Sequence, residues 1–448
     1  MSDRPLILLR RVEVEGAIVD VRVEDGVIAA VGADLPAVAG ADEIDGAGGA
    51  LLPGLHDHHV HLFAMAAAAR SIQASGDVLA TLRAADRELA PGAWIRAVGW
   101  HEHGGVDLDR DTLDAAVPGR PVRVQHATGA LWVLNSRALD AVGLAGHPTG
   151  RLFGADDLLR QRLGADAPDL TDVGAALCAV GVTAVTDATP YASRRDLETL
   201  AAAVADAGLA QRVVVTAAPD VDVLAVQRLD GGPAKVIVAD HDLPSVDALA
   251  DQVAAARHHG RTVAFHCASR VALVLALAAL DVVGARRGDR IEHGAVIPDD
   301  AIDALCRRRL TVVTQPALVA ERGDRFLDEV EPGDRPHLWR CASLLAAGVP
   351  VAGSTDAPLG PADPWRAIAA ATSRRTAGGA VLGPGERVDG RTALGLFLGP
   401  LERPGGPPRR VTRGAPADLC LLHVPLAEAL AAPDASVVRA TLPAHSFL

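Results

Sequence analysis

The chain has 448 residues, 43 basic against 56 acidic, for a net charge of −13; 49% of residues are hydrophobic and 22% charged. That composition carries a large core and excludes a disordered or coiled-coil chain. The acidic balance argues against nucleic acid and against an anionic membrane surface as partners.

The longest apolar run, Val271 to Leu280, is ten residues and closes with Asp281, short of the ~18 needed to cross a bilayer. The start, Met1-Ser2-Asp3-Arg4-Pro5, leads into four apolar residues and then Arg10-Arg11, which does not read as a signal peptide. Cys178, Cys267, Cys306, Cys341 and Cys420 are scattered and lack CxxC spacing. They read as free thiols in a reducing cytoplasm. Of the 43 basic residues, 42 are arginine and one, Lys235, is lysine. A lone lysine in an arginine-biased chain points to a task arginine cannot do. Such tasks need a deprotonatable amine: a Schiff base, a general base, or reaction with CO2 to form a carbamate.

In chain order, Leu6–Leu9, Val12–Val14, Ile18–Val23 and Val27–Val31 are β-rich runs cut by glycines. Asp418–Leu422 and Ser436–Thr441 read the same way at the other end. Residues 1–53 and 405–448 are therefore predicted to build one small β-sandwich from both termini. Between them, strands are predicted at Leu51–His59, Val182–Thr186, Arg212–Thr216, Lys235–Val238, Thr262–His266, Arg290–His293, Leu310–Thr314 and Val349–Gly353. Helices separate several of them. Ser245 to His259 carries Val246, Leu249, Val253 and Ala256 on one face and stops at Gly260. Pro298-Asp299-Asp300 opens another. Eight strand–helix units make the fold class α/β, a (β/α)8 TIM barrel over 54–404. Residues 62–170 exceed one crossover and hold two extra strand-like runs, Trp94–Val98 and Pro121–Gln125. They read as an insertion after barrel strand 1, on the substrate side. Arg403–Arg410 reads as the linker back to the sandwich.

The densest chemistry lies in Leu52 to His61. Alternate residues of a strand share a face, so His59 and His61 can chelate one metal ion, while His56 and His58 fall on other phases and read as structural. His266, His293 and Asp356 each close a buried strand, and Lys235 lies on the strand before His266. The spacings are 266 − 235 = 31, 293 − 266 = 27 and 356 − 293 = 63, against roughly 30 residues per βα unit. The six residues thus fall on strands 1, 4, 5, 6 and 8 and converge on the barrel mouth. Cys267 points away from it.

The pattern resembles the amidohydrolase superfamily of metal-dependent hydrolases, and within it the amidohydrolase family 3 branch with its N-substituted formamide deformylases. The matching pieces are Leu52-Pro53-Gly54 through His61, Gly99-Trp100, Trp132 to Ser136, Gly181-Val182-Thr183, Arg290-Ile291-Glu292-His293, Gln315-Pro316, Gly353-Ser354-Thr355-Asp356 and Ala417-Asp418-Leu419. The resemblance implies that His59 and His61 bind the more buried metal, usually zinc, and that Lys235 is carboxylated and bridges two ions. It further implies that His266 and His293 bind the second ion and that Asp356 ligates metal and shuttles protons. The cofactor is then Zn2+, one ion or two, two if Lys235 is carboxylated. A carbamate supplies a bridging anion, and two cations lower the pKa of a bridging water. Two departures, Gly129-Ala130 and Asp240-His241, fall where substrate binding is expected.

Trp100, Asn135, Tyr191, Gln315 and Arg322 are the candidate substrate contacts, with His101 and His103 beside Trp100. The expected activity is metal-dependent hydrolysis of a non-peptide C–N bond, in an amide, formamide or cyclic amide, of a small-molecule substrate. An aromatic-base deaminase or an ester or lactone hydrolase using the same site is the alternative, and the lone lysine counts against the deaminase. A catalytically dead scaffold is the reading from another class. A homo-oligomer is left open.

Overall fold

The computed structural model describes residues 6–444 apart from 75, 102–106, 128, 130, 165–166 and 224–228. His103 and Ala130 lie outside the described residues. The chain divides into two compact units, Met1–Leu62 with Asp169–Leu448, and Phe63–Pro168.

The larger unit is organised by one eight-stranded sheet whose strands are parallel and neighbour one another in chain order. They are Leu55–Val60, Val182–Tyr191, Arg212–Ala217, Asp230–Ile237, Val263–Cys267, Arg290–His293, Thr311–Thr314 and Val351–Gly353. The ring closes between first and eighth strands. The His61 N–H donates to Ala357 O at 2.9 Å, and the Asp356 N–H donates to His59 O at 2.9 Å. The TIM barrel is thus present, with all eight predicted strands in it.

Helices between the strands start where the sequence supplies caps. Ser245 accepts from the Ala248 N–H ahead of Val246–His258, and Ser269 does the same for Ala272 ahead of Arg270–Val283. Asp299 and Asp300 occupy the first turn of Asp299–Arg308, where the helix dipole favours acids. The apolar run noted above lies in Arg270–Val283, which buries Ala272, Leu273, Ala276, Leu277, Ala279 and Leu280. Among the described residues no helix is long and apolar enough to cross a membrane.

The first predicted strand, Leu51–His59, is two strands. Leu51–Pro53 pairs antiparallel with Leu419–Leu422, which pairs with Val438–Leu442. The chain breaks at Gly54 and resumes as the first barrel strand. A Cβ at residue 54 would overlap the Thr183 side chain on the neighbouring strand, so only glycine lets the two strands lie this close. The other small sheet contains Ile7–Val14, Ala17–Glu24, Val27–Gly32 and Asp42–Asp45. Ile7, Leu9, Val21 and Ile28 from it share one buried cluster with Leu51, Leu419 and Leu421.

The smaller unit, read as two extra strands, is a five-stranded mixed sheet of its own. Its order is Arg151–Phe153, Leu131–Leu134, Val122–His126, Ile95–Trp100 and Ile72–Gln73. Val78, Leu82, Ile95, Trp100, Leu113 and Val124 belong to one of its buried clusters.

The Gly54 contact carries a prediction. Gly54→Ala should lower unfolding stability by ~1–3 kcal/mol through overpacking, read by denaturant unfolding. Thr183→Ala in the same chain should recover part of the loss, because it removes the two nearest atoms.

Candidate metal centre

Strand register sets which side chains share a level inside the barrel. Lys235, Ala264, Arg290 and Thr311 are successive partners around the ring, and Ile237, His266, Glu292 and Val313 form the row two residues further on. Neighbours in register point the same way. So His266 is level with Glu292, and Cys267, not His266, is level with His293. A regular strand would therefore aim His293 away from the interior. Its φ of 68° instead takes the backbone out of the strand, and Asp356 has a φ of 55° just past the eighth strand. Both are left-handed conformations, uncommon for residues with a side chain and concentrated at functional sites.

The result is a compact polar cluster. Ligand-capable atoms of His59, His293 and Asp356 lie within 4.8 Å of one another, and all three residues are buried. His61 Nε2 is 3.4 Å from Asp356 Oδ1, and His59 Nε2 is 3.6 Å from the same oxygen. His266 Nδ1 is 2.9 Å from His293 Nε2. Lys235 Nζ is 3.3 Å from His59 Nε2 and its side chain is buried. The fourth barrel strand starts at Asp230, which places Lys235 near its end, not its beginning. All six residues predicted to converge are together, with His61 and His266 at the edge of the tight triad.

Several residues that hold this geometry were not singled out by sequence. Glu292 is fully buried, accepts from His59 Nδ1 in a short hydrogen bond, and ion-pairs through its other oxygen with Arg290 Nε. The bond fixes the His59 proton on Nδ1 and leaves Nε2 as a lone pair facing Lys235 and Asp356. Asp57 accepts from the Thr355 hydroxyl at 2.5 Å, the Thr355 N–H at 3.1 Å and the His59 N–H at 3.2 Å. It ties the first strand to the residue before Asp356. His61 Nδ1 lies 3.0 Å from Thr189 Oγ1. Glu292 stood inside the quoted Arg290–His293 run, but only the strand-closing His293 was taken from it.

Gln315, expected at the substrate, braces a site residue. Its Oε1 is 3.1 Å from His293 Nδ1 and its Nε2 donates to Ser354 Oγ at 2.9 Å. The Tyr191 hydroxyl donates to Asp187 Oδ2 at 3.0 Å, and Arg322 Nη2 donates to Leu359 O at 3.3 Å. In the smaller unit, Asn135 caps the helix Ser136–Ala141. Its Oδ1 accepts from Val122 and Ala138 N–H groups and its Nδ2 donates to Val117 O and Arg120 O. Four bonds exhaust an asparagine amide, so the sequence expectation of a substrate contact yields to a structural role. Trp100 is 2% exposed within that unit's core, edge-on to His126, and takes the same correction. His56 binds Gly399 O through Nδ1 at 3.0 Å, a structural role. Cys267 is buried, and burial pushes its thiol up.

Burial sets the protonation of the cluster. Desolvation pushes His59, His266 and His293 down, so their imidazoles are neutral. Burial likewise pulls Lys235 down, against the opposing carboxylates of Glu292 and Asp356. For Asp356, burial acts upward, but His59, His61 and His293 outweigh it and hold the carboxyl below the usual range. Neutral imidazoles beside an ionised carboxylate are the protonation states that bind a divalent cation. The donor set therefore fits a metal ion.

Comparison with known proteins agrees. YtcJ of Bacillus subtilis (strain 168), named as an amidohydrolase, is 24% identical over 427 residues, covering 80% of each chain. The N-substituted formamide deformylase of Arthrobacter pascens is 26% identical over 451 residues, covering 82% of each. A metal-dependent hydrolase from Pyrococcus horikoshii OT3 shares the fold with a TM-score of 0.74 at 19% identity, over 97% of this chain and 98% of that one. The amidohydrolase family matches residues 42–443, and this chain belongs to it, as a hydrolase.

Proposed function

We propose that the protein hydrolyses a non-peptide C–N bond, in an amide, formamide or cyclic amide, of a small organic substrate, using zinc held at the barrel mouth. The observation that carries this reading is the buried triad His59, His293 and Asp356 with Lys235 Nζ 3.3 Å from His59. His59, His61 and Asp356 would hold one ion, and His266 and His293 a second, with Lys235 between them. When bound, the metal supplies Lewis-acid chemistry, lowering the pKa of water and polarising a carbonyl oxygen.

The chain's own groups do the rest. Asp356, held as an anion, takes a proton from the attacking water and returns it to the leaving nitrogen, which otherwise departs as a poor anion. Lys235, desolvated toward the neutral amine, would react with CO2; its nitrogen would gain the carboxyl group and release one proton, giving an anionic ligand for metal. Glu292 keeps His59 in one tautomer. Arg322 is the substrate contact retained from the sequence; Tyr191 is buried with its hydroxyl on Asp187. Metal analysis with a hydrolysis screen tests the reading. Turnover of amides or formamides supports it, and turnover confined to esters, lactones or amino-purines replaces it with the corresponding alternative.

Three variants probe the roles. Asp356→Asn should keep the fold and lose ~10²- to 10⁴-fold in rate, because the amide cannot take the water proton; near-normal turnover removes Asp356 from the mechanism. Lys235→Arg supplies a fixed cation that cannot be carboxylated. It should lose at least one metal equivalent by elemental analysis and abolish turnover, and an active variant with full metal content ends the bridging role. Glu292→Gln should weaken metal affinity by ~10- to 100-fold, measured by chelator competition, since a supporting hydrogen-bond partner is usually worth that much.

A further inference from the structure

A second polar region lies at the other end of the barrel. A cleft of about 980 Å³ is lined by residues 230–233, Thr262, Arg290, Thr311 and Pro350. These are the first residues of barrel strands four, six and seven or the residues just before strands five and eight. The cleft is therefore at the N-terminal ends of the strands, away from His293 and Asp356.

Its charge is opposite to that of the protein. Five arginines line it, Arg261, Arg287, Arg290, Arg309 and Arg403, with two acids, Asp230 and Glu402, so the lining sums to 5 − 2 = +3 in a chain of net −13. Both acids are already engaged by Arg212, which lies outside the lining. Arg261 is built into the scaffold through hydrogen bonds to the carbonyls of Ala217, Ala218, Val221, Gly232 and Pro233. Arg287 and Arg309 are exposed on the rim. Arg290 is the informative member. It is 3% exposed, its Nε contacts Glu292 without hydrogen-bond alignment, and its Nη2 is buried with no hydrogen-bond partner. A buried guanidinium donor left unmatched is costly unless something accepts from it. Glycines at 231, 232, 260, 288, 348, 405 and 406 line the same walls, so an oxyanion can approach backbone closely.

We propose that this cleft binds a small phosphate-bearing anion, with Arg290 at its floor and Arg287 and Arg309 at its rim. Planar guanidinium groups pair with phosphate oxygens in two-pronged fashion. An excess of three positive charges matches a group carrying more than one negative charge better than a monocarboxylate. The volume leaves room for the organic part of a phosphate ester. The site is separate from the mouth and does not depend on the function proposed there.

Inorganic phosphate is the probe, titrated calorimetrically into the metal-loaded full chain and into Arg287→Glu/Arg309→Glu. Phosphate can also meet metal at the mouth, so the assigned site is the one the double variant loses. One saturable phosphate equivalent should weaken by ~10-fold or more in the variant, through like-charge repulsion. Phosphate-free hydrolysis and the circular dichroism spectrum should stay unchanged. Acetate serves as the carboxylate arm. Identical phosphate binding by both proteins, no saturable binding by either, or acetate binding as tightly as phosphate overturns the proposal.

Discussion

The site depends on one buried carboxylate. Glu292 sits inside the barrel with Arg290 on one oxygen and His59 on the other. An ion taken out of water costs several kcal/mol unless partners compensate, so its position is set by what surrounds it and in turn sets them. It keeps the His59 proton on Nδ1. That leaves Nε2 as an acceptor, which Lys235 Nζ meets at 3.3 Å. Burial keeps the neighbouring imidazoles neutral but works against the Asp356 anion, which is held by the histidines around it. Little water reaches this end of the barrel, so charge persists only where another charge or dipole answers it. Asp57 shows the balance running the other way. Its burial pushes the carboxyl up to about 7, although Thr355 and the His59 N–H donate to it.

The backbone supports this arrangement by departing from regular geometry at two points. His293 and Asp356 hold left-handed φ angles, each worth of order 1–3 kcal/mol of strain. Both departures are over-determined. Asp356 is fixed by its own N–H to His59 O and by Asp57 gripping the adjacent Thr355. His293 is fixed by Gln315 and by His266. The imidazoles and the carboxylate therefore sit on strand ends whose direction is set by the sheet, and only the last dihedrals are spent on aim.

Much of this was legible in sequence. A histidine or aspartate closing an apolar run at βα spacing, repeated on several strands, locates a barrel mouth without coordinates. The helix cap at Ser245 and the acidic first turn after Pro298 were legible too, because both are local effects. Three features were not. The need for glycine at 54 follows from Thr183, 129 positions away in the chain. The inward aim of both Glu292 and His293 violates the two-residue period, and no periodicity argument can foresee a positive φ at a histidine. Asn135 looked like a ligand contact because it is the sole asparagine in the chain. Its bonds run to residues 117, 120 and 122, partners that only the folded smaller unit brings to it.

The polar interior also explains why Arg290 belongs to two regions at once. It shares a row with Lys235 and lies one row below Glu292, and it also lines the cleft at the strands' N-terminal ends. A TIM-barrel core is ordinarily filled by branched apolar side chains, with stability assigned to one end and chemistry to the other. Here polar and ionisable side chains replace part of that filling: Arg290, Glu292, Lys235 and Asp57. Arg290 and Glu292 are tolerable only while both are charged, so that pair behaves as a unit. Removing one partner leaves another buried charge unanswered, a far larger penalty than the net worth of the pair. The same guanidinium that anchors Glu292 beneath His59 is thus the group least free to change, and it carries a buried donor with no hydrogen-bond partner.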